Sequence, residues 1–327
     1  MFHPRAAMLT LYGDYALHRG GEIGIGSLVE LLSNFGLSEQ AIRSAVSRMC
    51  RSGLLKARRT GMKSYYSLTD DGYSLLAEGE QRIFRRKNSN WDNRWNIITY
   101  SIPERLRPAR DRLRVELGWL GYGALGEATW ISPYDLTKDV KNLLHRLKIE
   151  EYVHIFNAEH QGGTDPKKIV SRCWNLNKIH RRYADFLAEY RPKLDGHMKR
   201  LQAGENIASS ECFVARFNLI HEYRKLPFFD PDLPIELLPE NWLRPQAAVL
   251  FEEYHGSLTE KANEYFDLVT GGYQDNSEKL NEKPHRNKIK KPGARLPVSY
   301  RSQELAPSSF KISNRSYLPS SRRIFMS

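Results

Sequence analysis

Cysteine is scarce in this chain: Cys50, Cys173 and Cys212 form an odd, widely separated set with no CxxC pair among 327 residues. That argues against a disulfide scaffold and excludes a zinc site of ordinary spacing. No run approaches the roughly 18 apolar residues of a membrane span, and no N-terminal apolar stretch has the form of a signal peptide. The sequence therefore predicts a soluble, cytoplasmic protein with no membrane partner. Catalytic constellations are missing as well. No Ser/His/Asp set, HExxH or paired-carboxylate spacing stands out, and the nearest histidines, His154 and His160, lack the spacing of a metal-binding helix. No catalytic residue, metal ligand or cofactor is assigned.

Acidic residues are in deficit, with 38 Asp/Glu against 50 Lys/Arg and a net charge of +12. The surplus sits at the ends. Residues 1–88 hold 13 Lys/Arg against 8 Asp/Glu, residues 89–273 hold 25 against 26, and residues 274–327 hold 12 against 4. Basic ends around a neutral middle point to an acidic polymer as partner. All six tryptophans lie between Trp91 and Trp242, which predicts that the largest cores are in the middle.

The most informative stretch is 38–68, SEQAIRSAVSRMCRSGLLKARRTGMKSYYSL. At helical spacing Ile42, Ala45, Val46 and Met49 share an inward face. Gln40, Ser44, Ser47 and Arg51 lie opposite, flanked by Arg43 and Arg48. Arginine can fork onto guanine, glutamine can pair with adenine, and serine reaches bases or phosphate at close range. Ser38 is placed to cap the helix, where free N–H groups also favour phosphate. Arg58, Arg59 and Lys63 surround a tight turn at Gly61 and suit the phosphate backbone. Taken alone, such a helix reads equally well as an ordinary solvated face.

The flanking elements favour the DNA reading. A first packing helix runs from Pro4 to about His18. Ser27 and Glu30 have the spacing of a capping box opening a short helix that Gly36 closes. Gly53 ends the second helix, and Thr69 caps a fourth that reaches about Lys87. Residues 1–88 thus read as a winged helix-turn-helix, with Ser38, Gln40, Arg43, Ser44, Ser47, Arg48 and Arg51 toward the groove and Arg58, Arg59 and Lys63 on the wing.

Residues 89–165 read strand, helix, strand, helix, strand, which suggests a ferredoxin-like α+β domain. Gly121, Gly123 and Gly126 spell a literal dinucleotide-binding pattern there. It follows a helix and opens a strand, the reverse of what pyrophosphate binding needs, so the glycines are assigned to a tight bend and close packing. Residues 166–273 read as a helical domain, interrupted by a proline-punctuated segment that should bury Trp242. Residues 274–327 are rich in Lys, Arg, Ser and Pro without amphipathic periodicity and are predicted to be a disordered basic tail. That tail either adds nonspecific DNA affinity or is passive.

In four ordered blocks the chain resembles the PaaX family of bacterial transcriptional repressors. They are AIRSAVSRMCRSGLLKARRTGMKSYYSLTDDG, RRKNSNWDNRWNIITYSIPE, LGWLGYGALGEATWISP and DPDLPIELLPENWLRPQAA. The resemblance covers residues 1 to about 270 and leaves the tail outside. It implies an overall α+β fold: a winged helix, a central ferredoxin-like domain similar to the small nuclease of CRISPR adaptation, and a helical C-terminal domain. It also implies a homodimer on palindromic double-stranded operator DNA, nucleoid-associated when bound. Repression of phenylacetate catabolism, relieved by phenylacetyl-CoA or a related acyl-CoA effector, is implied too. Ser101 stands where the nuclease relatives carry a metal-binding aspartate, which speaks against an enzyme. Two alternatives remain: a metal-dependent nuclease and a nonspecific architectural DNA protein. The segment around Arg82 to Asn96, with Arg85, Arg86, Trp91 and Trp95, is the expected effector or transmission element. Its arginines could hold a CoA phosphate or contact DNA flanks.

Overall fold

The computed structural model describes residues 2–17, 19, 21–84 and 91–271. Arg85, Arg86 and the tail at 274–327 therefore lie outside the described residues. Helix α1 (Pro4–Leu11) runs into a π-helical turn over Tyr12–Ala16, followed by β1 (Glu22–Gly24), α2 (Ile25–Ser33) and α3 (Glu39–Arg51). A hairpin of β2 (Leu55–Thr60) and β3 (Lys63–Leu68) then leads to α4 (Asp70–Phe84). The first sheet is antiparallel, in the order β1-β3-β2.

Local chemistry sets several of these boundaries. Gly36 and Gly53, at φ 73° and 74°, take the left-handed turns that follow α2 and α3. Ser38 Oγ accepts the Ala41 N–H at 3.3 Å, and Thr69 Oγ1 accepts that of Gly72 at 3.1 Å. The expected capping box at Ser27 and Glu30 does not form. Helix α2 starts earlier, after Gly24, so Ser27 lies inside it and donates its hydroxyl to the Val269 carbonyl at 2.9 Å. A long-range acceptor replaces the local one.

The middle of the chain comprises β4 (Arg94–Tyr100), α5 (Arg107–Leu120), β5 (Gly123–Gly126), β6 (Thr129–Ser132), α6 (Thr137–Leu147) and β7 (Val153–Glu159). These strands form an antiparallel sheet in the order β5-β6-β4-β7. The sequence predicts three strands here; the fourth, β5, is missed because it begins and ends on glycine and lacks β-branched residues. The glycines nonetheless serve the bend and close packing expected of them. Gly121 closes α5 at φ 94°, and a Cβ on Gly123 would stand 2.6 Å from the Trp174 ring.

The remainder is helical: α7 (Pro166–Cys173), α8 (Leu176–Gln202), α9 (Ser209–Tyr223), the short α10 (Leu226–Phe229) and α11 (Arg244–Thr270). Trp242 is buried against α8, its ring centroid 6.0 Å from that of Tyr183. The fold is thus mixed helix and sheet (α+β), with two small antiparallel sheets.

The larger core holds Trp95, Trp174 and Trp242 as the tryptophan distribution leads one to expect, but it extends beyond the middle to the first elements. A smaller core packs α5 and α6 on the second sheet, around Ile98, Leu113, Leu117, Trp130 and Leu143. The larger one joins the two ends of the described chain. Met8, Leu11, Tyr12 and Tyr15 from the first elements share it with α9 and α11; the Tyr15 ring meets Phe213 of α9 and Phe266 of α11, and Phe2 meets Phe217. Phenylalanine and tyrosine outweigh tryptophan there, and at about 1.5–3 kcal/mol per fully buried large side chain this contact dominates the packing.

A buried ion cluster crosses the same contact. Arg216 on α9 and Asp14 in the π-helical turn are 6% and 10% exposed. Arg216 Nε lies 2.9 Å from Asp14 Oδ2, while Nη1 donates to Asn263 Oδ1 at 2.8 Å. His255 Nε2 is 2.9 Å from Asp14 Oδ1 and 3.0 Å from Arg216 Nε, so it donates to the one or accepts from the other. Burial alone would raise the Asp14 carboxyl; His255 and Arg216 overcome that and hold it below the usual carboxylate range. Thr10 adds a buried 2.9 Å hydrogen bond to His221 Nδ1.

Candidate nucleic-acid interface

Helix α3 shows one apolar and one polar face. Ile42, Ala45, Val46 and Met49 are buried in the larger core, and Gln40, Arg43, Ser44, Ser47, Arg48 and Arg51 are all exposed. Glu39 in the first turn and Arg48 and Arg51 in the last complement the helix dipole. Ser38 is exposed too, but its Oγ is occupied by the cap, so what this end offers a phosphate is mainly backbone N–H. Arg43 Nε donates to Glu39 Oε1 at 2.7 Å, with both side chains more than half exposed. An exposed i,i+4 pair contributes only about 0.3–0.5 kcal/mol, so little holds the Arg43 side chain in this position. Arg48 and Arg51 have no carboxylate partner among the described residues.

The hairpin divides its basic residues between two faces. Cross-strand pairing sets Lys63 opposite Thr60, Arg58 opposite Tyr65 and Arg59 opposite Ser64. Alternation puts Lys63 and Arg58 on one face and Arg59 on the other, the side on which Leu55 and Leu68 enter the core. Arg58 is already held: it forks onto the Glu22 carboxylate, with Nε 3.0 Å from Oε1, and its guanidinium lies 5.0 Å from the Tyr65 ring centroid. It braces the sheet in this structure, whereas Lys63 and Arg59 point outward without a described partner.

Sequence reasoning overlooked Arg5. Half-buried at the start of α1, its guanidinium is lowered by burial and then by Arg48, and its Nε has no partner. The signal was present in the sequence. A cation in the first turn of a helix opposes the dipole, and Arg5 directly follows the N-terminal Pro4. Trp95 is buried in the larger core and Trp91 packs on it, their ring centroids 4.9 Å apart. Both therefore belong to the larger core or its margin.

Comparison with known proteins places the chain in a family. Three family models match in order: PaaX-like protein over residues 3–72, PaaX protein central Cas2-like domain over 88–170, and PaaX-like protein C-terminal domain over 174–268. The chain is also 34% identical over 236 residues to Transcriptional repressor PaaX of Escherichia coli (strain K12), covering 71% of this chain and 73% of that one. The chain belongs to the PaaX family. Uncharacterized protein Rv0674 from Mycobacterium tuberculosis, of known structure, is 24% identical, with TM-score 0.48 over 74% of this chain and 89% of that one. In this PaaX family member the first match, residues 3–72, contains α3, the hairpin and Arg5.

Proposed function

We propose that this protein is a DNA-binding transcriptional repressor of an aromatic, phenylacetate-type catabolic operon, released from its operator by an aryl-CoA thioester such as phenylacetyl-CoA. The observation that carries the DNA half is the exposed Gln/Ser/Arg face of α3 beside an outward-pointing basic hairpin tip. In this reading α2 and α3 are a helix-turn-helix, and β2 and β3 are its wing. Membership in the same family as a relative named a transcriptional repressor supports the repressor role. The middle strand order β5-β6-β4-β7, with α5 and α6 on one face, supports reading this part as a ferredoxin-like domain, to which we assign dimerisation and ligand sensing. A homodimer would present two copies of α3 to a palindromic operator.

The groove face consists of Gln40, Arg43, Ser44, Ser47, Arg48 and Arg51; Lys63, Arg59 and Arg5 serve the phosphates. Lys63→Ala is expected to weaken operator and random duplex alike and to reduce the slope of log K against log salt by about 1. Fluorescence anisotropy at several salt concentrations reads both effects; a loss confined to the operator would place Lys63 at a base instead. For the effector, titrating the operator complex with phenylacetyl-CoA should dissociate it, because a ligand can shift DNA affinity only by its differential affinity for the two states. Calorimetry showing no binding of any aryl-CoA thioester would remove that half of the proposal.

A further inference from the structure

The two edges of the second sheet are built differently. At one edge β5 has only four residues, its register with β6 shifts between Ala124 and Gly126, and Gly123 lies against the Trp174 ring. A strand that short, irregular and covered offers no template to another chain. At the other edge β7 carries none of these protections. Its seven residues pair with β4 without a break and include no proline, lysine or arginine. His154, Phe156 and Asn157 are exposed, and Phe156, at 52%, is a large apolar side chain with little to cover it.

The bonding pattern decides which backbone groups face outward. The Ser101 N–H donates to the Tyr152 carbonyl at 2.9 Å, and bonding alternates from there along the antiparallel pair. His154, Phe156 and Ala158 therefore turn their backbone groups to β4, while Ile155, Asn157 and Glu159 turn theirs to the open edge. Neither the Ile155 nor the Asn157 N–H has an acceptor among the described residues. The Asn157 carbonyl takes Arg94 Nη2 at 3.0 Å and keeps a second lone pair.

Water satisfies such a row, but a second strand does so while also covering Phe156, and this strand complements itself. An added antiparallel strand must set outward residues against outward residues. When the added strand is another β7, the register centred on Phe156 does this and pairs all seven residues. Ile155 of one copy then exchanges bonds with Asn157 of the other, His154 stands opposite Ala158, and the two Phe156 side chains meet on the two-fold axis. We infer that β7 is the dimerisation edge: two copies join β7 to β7, antiparallel about an axis through Phe156, into one continuous sheet. This assigns a surface to the homodimer proposed above and rests on that reading.

Oxidative cross-linking of full-length Phe156→Cys tests the edge, with sedimentation equilibrium of the native protein alongside. Facing residues that share no hydrogen bond stand about 4.5 Å apart between Cα atoms, within disulfide reach. Mild oxidation should therefore convert most of Phe156→Cys into a disulfide-linked dimer. Lys141→Cys, exposed on α6, and the native protein with its three cysteines elsewhere should both stay uncrosslinked. Asn157→Pro removes an outward N–H without touching a bond to β4, and should weaken dimerisation about tenfold or more. Thermal melting reports whether that variant folds; if it does not, the cross-linking decides alone. A native dimer whose Phe156→Cys form fails to cross-link would overturn the inference and leave the homodimer standing. So would unchanged dimerisation in folded Asn157→Pro. A native protein that sediments as a monomer would contradict the homodimer itself, and this edge with it.

Discussion

Asp14→Ala should cost about 3–5 kcal/mol of stability, one of the two largest effects expected of a single site in this protein. The substitution leaves the Arg216 guanidinium 6% exposed with no carboxylate, while its remaining acceptors, Asn263, one nitrogen of His255 and the backbone carbonyl of residue 14, are all neutral. An unpaired buried charge is far more costly than the net gain the pair supplied. Chemical denaturation of the native and variant proteins reads the difference; a change under about 0.5 kcal/mol would mean that Arg216 finds water or another partner. The pH dependence has a definite sign. The Asp14 carboxyl is held below its ordinary value of 3.8, so its contribution is complete above that value and is lost as the pH falls through the lowered one. The gap between native protein and Asp14→Asn should therefore persist at neutral pH and close in strong acid.

That cluster also marks what could and could not be read from the sequence. Helix α3 was legible because its periodicity, cap and flanking glycines agree, and all of its information is local. Thr69 and the Gly121–Gly123 bend were legible for the same reason. Ser27 was misread because its partner, Val269, is 242 residues away. Arg216 sits in the run ECFVARFNLIHEY, where nothing local shows that an arginine faces inward. Its partner Asp14 comes from the other end of the described chain, so the shared core of first and last elements was invisible to a reading by successive segments. The β2–β3 hairpin was legible as a basic turn, but the tie between Arg58 and Glu22 depends on β1 pairing with β3, a register that three residues of strand do not announce.

The second large effect concerns DNA. Arg43 and Arg48 flank the exposed face of α3, and each is expected to contribute about 1–3 kcal/mol through contacts to base edges. Arg43→Ala alone should relax specificity at one base pair. Because the two are separate on the helix surface, the double variant should lose affinity by a factor on the order of 10²–10⁴. Neither side chain is buried, so the loss should come without a change in thermal stability beyond about 0.5 kcal/mol. That separation distinguishes it from Asp14→Ala, which weakens the platform itself.

Selection from a random duplex library, followed by anisotropy on the enriched sequence at fixed salt, tests the central claim most directly. The native protein should enrich one palindromic sequence, and Arg43→Ala/Arg48→Ala should fall to the affinity it has for unrelated duplex while remaining folded. Full affinity for the enriched sequence in the double variant would contradict the assignment of α3 as the reading helix.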